Sequence, residues 1–132
     1  MYNLKNKTAI VTGSGRRGGI GEAIVLRLAS EGCNIVISDI GTTKGDNFSK
    51  EHVGTTDEME SITADIRSLG VAALCVPCDV RFEKDVENLL EKAVEAFGSV
   101  DIMVNNAGVG YIMEAFTELK VSSWDAVAIN NR

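Results

Sequence analysis

The chain has 132 residues, the size of a single domain, and its 45% hydrophobic and 24% charged residues are typical of a globular protein. Thirteen basic and 19 acidic residues give a net charge of -6. This balance disfavours nucleic acid as the main partner, because a phosphate backbone requires a basic face. No apolar run approaches the ~20 residues of a membrane span. Three cysteines without a signal-peptide pattern predict reduced thiols and a cytoplasmic location.

The first half of the chain alternates strand and helix patterns. Residues 8–12 form a short apolar strand, and residues 19–31 then carry apolar side chains at helical spacing. Gly32 ends this predicted helix. A second strand covers residues 34–39, and a polar loop is predicted over 41–55.

The second half continues the alternation. Its predicted elements are a helix that Thr56 caps and Gly70 ends, a strand over 71–76, an amphipathic helix over 82–97 that Gly98 closes, a strand over 102–104, and a last helix that Ser122 or Ser123 caps and that begins at Trp124. Alternating apolar strands and helices predict an α/β fold with a parallel sheet covered on both faces. Right-handed crossovers favour a Rossmann-like, doubly wound sheet of strand order 3-2-1-4, in a single domain over 1–132.

The turn after the first strand is rich in glycine. It runs from Thr12 to Gly21, and Gly13, Gly15 and Gly18 match the pattern G-x-G-x-x-G. Glycines between a strand and a helix let the backbone approach a pyrophosphate, and the helix N-terminus supplies N–H groups. The turn therefore predicts a dinucleotide site, with a ligand-free glycine turn as the alternative.

The charges near this turn bear on the choice of cofactor. Asp39 ends the second strand, 18 residues after Gly21. A carboxylate there accepts hydrogen bonds from the ribose hydroxyls of NAD and repels the 2′-phosphate of NADP. Arg16 and Arg17 favour the opposite choice, because a guanidinium pairs with phosphate. NAD is predicted, with NADP as the alternative.

Three motifs together resemble the short-chain dehydrogenase/reductase family over nearly the whole chain. They are Thr12-Gly13 through Gly19-Ile20-Gly21, then Asp79-Val80, and Asn105-Asn106-Ala107-Gly108. Beside Asp39, the resemblance implies cofactor contacts for Gly13, Gly19, Ile20, Gly21, Asp79, Val80, Asn105, Ala107 and Gly108. In it, Ile20 lies against the nicotinamide half, Asp79 bonds the adenine amino group, and Asn105, Ala107 and Gly108 lie along the adenosine ribose.

The resemblance also implies a reaction, hydride transfer between a nicotinamide and an alcohol or carbonyl of a small molecule. Asn130 matches the family's catalytic-helix Asn, which helps hold a water in the proton relay. The family's catalytic Ser and Tyr-x-x-x-Lys lie beyond that Asn, so these 132 residues alone are predicted to be inactive. A non-catalytic nucleotide-binding module and an inactive truncated product are the alternatives. A homo-oligomer is expected, partly because the fourth strand would be an apolar edge.

The turn departs from the family pattern. Five residues separate Gly13 from Gly19, where the family usually has three. Gly13 and Gly19 are expected to tolerate side chains poorly, and Gly15 and Gly18 to fill the loop.

The remaining reactive residues give weaker signals. Cys75 and Cys78 are interpreted as buried thiols rather than a redox pair, because no helix begins beside them. No metal site is predicted, because His52 has no second ligand at metal spacing. Tyr111 has no Lys four residues on, so it is not expected to be catalytic.

Overall fold

The structure is a computed structural model that describes residues 2–41, 54–108 and 115–130. Its elements are β1 (Thr8–Thr12), α1 (Ile20–Ser30), β2 (Asn34–Asp39), α2 (Thr56–Ser68), β3 (Ala73–Pro77), α3 (Glu83–Phe97), β4 (Ile102–Val104), a 3₁₀ turn (Phe116–Glu118) and α4 (Val121–Asn130). Residues 42–53, most of the predicted polar loop, lie outside the described part.

The four strands form a parallel sheet of order β3-β2-β1-β4, which confirms the predicted order. Ile10 is paired with Val36 on one side and Met103 on the other. Because all strands run the same way, the carboxyl ends of β1, β2 and β3 lie at one edge of the sheet. This is the edge at which open α/β sheets bind their ligands.

Apolar side chains of the strands cover both faces of the sheet. On one face, Ile35 and Ile37 pack with α1 and α2, and Met59 and Ile62 of α2 are fully buried there. On the other face, Ile10, Val36 and Val76 pack with Leu89 and Ala93 of α3. Fully burying an aliphatic side chain stabilises the fold by roughly 1.5–3 kcal/mol. The two-sided core fixes β1 and β2 as the central strands.

Several boundaries differ from the predicted ones, by one to three residues. The strand predicted over 71–76 is Ala73–Pro77, and Thr55, not Thr56, caps α2. The Thr55 side chain accepts a hydrogen bond from the Glu58 N–H at 3.3 Å, and the Glu58 carboxylate accepts from the Thr55 N–H at 3.2 Å. This reciprocal capping box satisfies two N–H groups at once, which Thr56 could not do with Met59 three residues on.

The last helix begins at Val121, three residues before the predicted start at Trp124. The N–H groups of Ser123 and Trp124 donate to the Lys120 carbonyl oxygen at 3.0 and 3.1 Å, so the first turn already includes the predicted capping serines. The first carbonyl oxygen to accept hydrogen bonds in this helix is therefore that of Lys120, and neither serine occupies the N-cap position.

The capping box predicts different costs for two adjacent substitutions. Thr55→Ala should lower the free energy of unfolding by ~1 kcal/mol, because it removes an N-cap acceptor. Thr56→Ala should cost less than half as much, since its hydroxyl makes only a 3.4 Å contact with the Gly41 carbonyl oxygen. Urea unfolding of both variants checks this. A larger loss for Thr56→Ala would restore the boundary predicted from the sequence.

Candidate functional site

The glycine turn packs directly against the loop that follows β4. Gly13 has a left-handed φ of 65°, and a Cβ there would lie 2.8 Å from the Ala107 Cα. A Cβ on Gly21 would lie 2.5 Å from the Gly13 carbonyl oxygen. Both distances are shorter than any ordinary carbon contact, so only glycine fits at these two positions. The turn is thereby held close to the carboxyl edge of the sheet.

Hydrogen bonds between Thr12 and the Asn106 region hold the same two segments together. The Asn106 amide donates to the carbonyl oxygens of Thr12 at 2.9 Å and Gly13 at 3.1 Å. The Thr12 hydroxyl accepts from the N–H groups of Asn106 at 3.2 Å and Ala107 at 3.0 Å. Asn106 is therefore the organising residue of its tetrapeptide, although sequence reasoning assigned no role to it.

Ser14 continues the pairing of β1 and β2 into the turn. Its N–H donates to the Ser38 carbonyl oxygen at 3.0 Å, and its buried hydroxyl donates to Val11 at 2.6 Å. The neighbouring Ser38 hydroxyl is buried and has no hydrogen-bond partner among the described residues. A buried hydroxyl without a partner carries a desolvation cost of ~1–3 kcal/mol. Ser38 is fully buried, so this unpaired hydroxyl lies beneath the surface of the site edge.

The N-terminus of α1 opens at this edge without a side-chain cap. Gly19 is the N-cap residue and has no side chain to supply a cap hydrogen bond. The first N–H groups of a helix have no intrahelical partner, and the helix dipole favours an anion beside them. Ile20, the first helical residue, is 76% exposed. These features fit the phosphates of a dinucleotide.

The Asp39 carboxylate is engaged by three backbone N–H groups. One oxygen accepts from Gly15 at 3.1 Å, and the other accepts from Ile40 at 2.8 Å and Gly54 at 3.2 Å. A carboxylate has roughly four acceptor positions, so about one remains for a ligand hydroxyl. Desolvation raises the pKa of Asp39, and this effect outweighs the lowering by the three backbone hydrogen bonds and by Arg16.

Gly15 is closely packed, so the expectation that it only fills the loop is wrong. A Cβ there would lie 2.5 Å from the Met59 Cγ and 2.7 Å from the Asp39 Cβ. Gly18 has open space around it but a left-handed φ of 71°. Gly19, predicted to be intolerant, has ordinary extended backbone and milder crowding, 3.2 Å from the Arg16 carbonyl oxygen.

Asp79 is also engaged internally. It is 1% exposed, and its carboxylate accepts from the Arg81 Nε at 2.9 Å and Nη2 at 2.5 Å. The Arg81 backbone N–H donates to the same carboxylate at 3.1 Å. The role predicted for Asp79, bonding adenine, therefore faces competition from Arg81, to which sequence reasoning assigned no role. Val80 follows Asp79 and packs partly buried beside α3.

The other predicted residues lie at or beyond the end of β4. Asn105 and Gly108 are exposed and Ala107 is half-buried beside Gly13. Asn130 is the last residue of α4, and its side chain lies outside the described part of the chain. His52 and Tyr111 also lie outside it.

The described residues also give information on metal-ligand groups, membrane-spanning helices and paired cysteines. No group of three or more His, Cys, Asp or Glu in them could hold a metal ion. No helix in the same ranges has both the length and the apolar character needed to span a bilayer. Neither Cys75 nor Cys78 forms a disulfide. Cys75 is half-buried and Cys78 is buried, so the expectation of buried thiols is correct for Cys78 only.

A doubly wound parallel sheet with a glycine turn between β1 and α1 defines a Rossmann-like α/β protein. The family model described as short chain dehydrogenase matches residues 7–131. The chain belongs to this family, whose members are oxidoreductases.

Curated relatives and solved structures agree with this assignment. The chain is 32% identical over 126 residues to a 3-oxoacyl-[acyl-carrier-protein] reductase of Staphylococcus epidermidis, covering 96% of the chain and 45% of the relative. It is 35% identical over 128 residues to glucose 1-dehydrogenase 2 of Bacillus subtilis, covering 96% and 44%. The chain therefore spans less than half the length of these relatives.

Among solved structures, carveol dehydrogenase from Mycobacterium avium in complex with NAD superposes with a TM-score of 0.87 at 26% identity. That comparison covers 99% of this chain and 46% of the other. A short chain dehydrogenase from Mycobacterium paratuberculosis, at 24% identity and a TM-score of 0.86, supports the fold.

The packing around the turn predicts an order of glycine tolerance. Gly15→Ala should destabilise the chain by ~1–3 kcal/mol, because the added methyl overlaps Met59 and Asp39. Gly19→Ala should lower the free energy of unfolding by less than ~1 kcal/mol. The extended backbone at this position suits any residue, and the only loss is that alanine is a poorer N-cap than glycine. Urea denaturation of both variants measures the difference. A larger loss at Gly19 would restore the ranking predicted from the sequence.

The raised pKa of Asp39 predicts a distinctive pH dependence. The folded chain holds this proton more tightly than the unfolded chain, so the carboxyl group favours folding below its unfolded pKa. That contribution is lost as pH rises through the folded pKa. The stability advantage of the unaltered chain over Asp39→Asn should therefore fall from pH 4 toward pH 8 in urea denaturation series.

Asp101 provides a control of opposite sign. Its pKa is lowered, first by the Thr8 N–H hydrogen bond and then by Lys7. The advantage of the unaltered chain over Asp101→Asn should therefore rise with pH, and be lost as pH falls through the folded pKa. If Asp39→Asn followed the same direction as Asp101→Asn, the three N–H bonds at Asp39 would outweigh its desolvation.

Proposed function

We propose that the chain forms the cofactor-binding part of a nicotinamide-dependent oxidoreductase, with NAD as the preferred cofactor. The observation that carries this proposal is the uncapped N-terminus of α1 beside the Gly13–Gly21 contact, at the carboxyl edge of the sheet. Oriented N–H groups and a positive dipole end suit a pyrophosphate, and they need no net positive charge on the protein. The NAD complex of carveol dehydrogenase, with its similar fold, supports the same cofactor.

The residues proposed to contact the cofactor are ten predicted from the sequence, nine of them in the three motifs and Asp39 at the end of β2. They are Gly13, Gly19, Ile20, Gly21, Asp39, Asp79, Val80, Asn105, Ala107 and Gly108. When bound, the nicotinamide supplies or accepts the hydride, while these residues orient the dinucleotide along the sheet edge. Asn130 is proposed to help hold a water near the reacting atoms.

The preference for NAD rests on charge. Asp39 ends β2 at the site edge and repels a 2′-phosphate there. Arg17, one of two basic candidates to receive that phosphate, already pairs with Glu22 at 2.8 Å and Asp65 at 2.7 Å. Releasing it would take the positive charge away from both carboxylates, so Arg17 favours NADP less than its position in the sequence indicates.

The substrate is proposed only as a class, an alcohol or carbonyl of a small molecule. According to their names, the two curated relatives named above act on a 3-oxoacyl-[acyl-carrier-protein] and on glucose, and their identities to this chain are nearly equal. Such different substrates point to a pocket formed largely by residues outside the shared region. A homo-oligomer remains a prediction.

Titration calorimetry with NAD and NADP tests the cofactor assignment. The unaltered chain should bind NAD more tightly than NADP, and Asp39→Asn should reduce that ratio about tenfold, because it removes the negative charge while keeping the side-chain shape. The ratio of the two affinities is informative even if the substitution destabilises the turn, because such a change would lower the affinities for NAD and NADP by the same factor. Equal or tighter NADP binding by the unaltered chain would contradict the preference.

A further inference from the structure

The enlarged glycine turn carries an arginine that bridges two helices. The Arg17 guanidinium donates to Glu22 of α1 at 2.8 Å, and to Asp65 of α2 at 2.7 Å and Ser61 of α2. We call these four residues the Arg17 clamp. The Arg17 side chain is 38% exposed, so each of its ion pairs contributes little stability by itself. Its three acceptors on two helices nevertheless hold the guanidinium in one orientation.

The backbone of the same turn is bound to carboxylates on the same two helices. The Gly18 N–H donates to Glu22 at 2.6 Å, and the Arg17 N–H lies 3.4 Å from a Glu58 carboxylate oxygen. Glu22 therefore bonds both the Arg17 side chain and the turn backbone. The residues just before the N-terminus of α1 are thus fixed relative to α2 by side chains.

The charges of the clamp argue against a direct phosphate contact by Arg17. Two carboxylates already neutralise the guanidinium, and its pKa is raised by hydrogen bonds to Glu22 and Asp65. A phosphate would have to displace an acidic partner and would then lie beside that uncovered negative charge. The contacts of Arg17 instead suit a residue that fixes the conformation of the turn relative to α1 and α2.

We propose that Arg17 is a positioning residue, whose clamp holds the enlarged glycine turn in the conformation that binds the cofactor's diphosphate. The inference rests on the proposed dinucleotide function and assigns a role to the enlargement itself. Because the clamp orders the turn during folding, the turn loses less conformational entropy when the ligand binds.

Asp65→Asn separates this role from a direct electrostatic one. The substitution removes a negative charge near the site, so Coulomb's law alone predicts tighter binding of an anionic ligand. If the clamp positions the turn, binding weakens instead, by about 2- to 5-fold for the loss of one exposed pair. The probe is ADP, with adenosine as the comparison ligand that lacks the diphosphate, both measured by titration calorimetry.

Glu60→Gln is the matched control, because Glu60 is an exposed acidic residue of α2 outside the clamp. It should leave ADP affinity unchanged or slightly increase it, and Asp65→Asn should leave adenosine affinity unchanged. Ser61→Ala, which removes an uncharged acceptor, is judged by the same criterion and replaces Asp65→Asn if that variant does not fold.

Unchanged or tighter ADP binding by Asp65→Asn would overturn the inference, as would an equal loss for adenosine. Either result would leave the proposed function intact, provided that the unaltered chain binds ADP and NAD. Failure of the unaltered chain to bind either ligand would refute the proposed function, and this inference with it.

Discussion

The contact between the buried Asp39 carboxylate and three backbone N–H groups organises the site edge. Gly15, Ile40 and Gly54 belong to three separate stretches of chain, the turn after β1, the end of β2 and the approach to α2. One anion fixes all three because a carboxylate offers several acceptor directions at short range. The close approach has a steric consequence, since a side chain on Gly15 or Gly54 would overlap its neighbours. The glycines and the acid therefore depend on one another.

Much of the fold could be predicted from local patterns, and the missed features share one cause. Strand order and the Gly13 and Gly21 positions follow from alternating apolar runs and a glycine turn, which are signals within one segment. The tight packing of Gly15 depends on Met59, more than forty residues away, and the role of Asn106 depends on Thr12. Such contacts exist only once the sheet has formed, so no local pattern indicates them. The capping box is an exception, because Thr55 and Glu58 have the three-residue spacing of this motif and could be predicted from the sequence.

Both acidic residues predicted to contact the cofactor have internal partners in the structure. Asp39 binds backbone N–H groups, and Asp79 binds Arg81 through both carboxylate oxygens. Burying a carboxylate is costly unless its charge is compensated, so these partners are what allow acids to lie near the site at all. A ligand hydroxyl or amine would then share or displace an existing partner rather than meet a free charge. The affinity gained at these positions is the difference between the hydrogen bonds that the ligand forms and those that it displaces. Such a site contributes more to the choice between ligands than to the strength of binding.

The electrostatics of the turn follow from the same constraint. The chain carries a net charge of -6, and Asp39, Glu22 and Glu58 all accept hydrogen bonds from the turn backbone. An anion site among carboxylates requires that the negative groups be engaged and that uncommitted N–H groups face the ligand. The glycine N-cap gives the first N–H groups of α1 no side-chain cap, whereas the carboxylates bind N–H groups earlier in the turn. The turn thus separates the two sets. The N–H groups of Gly15, Arg17 and Gly18 bond the acids, and the helix N-terminus carries no side-chain cap, which is the arrangement that the proposed phosphate site requires.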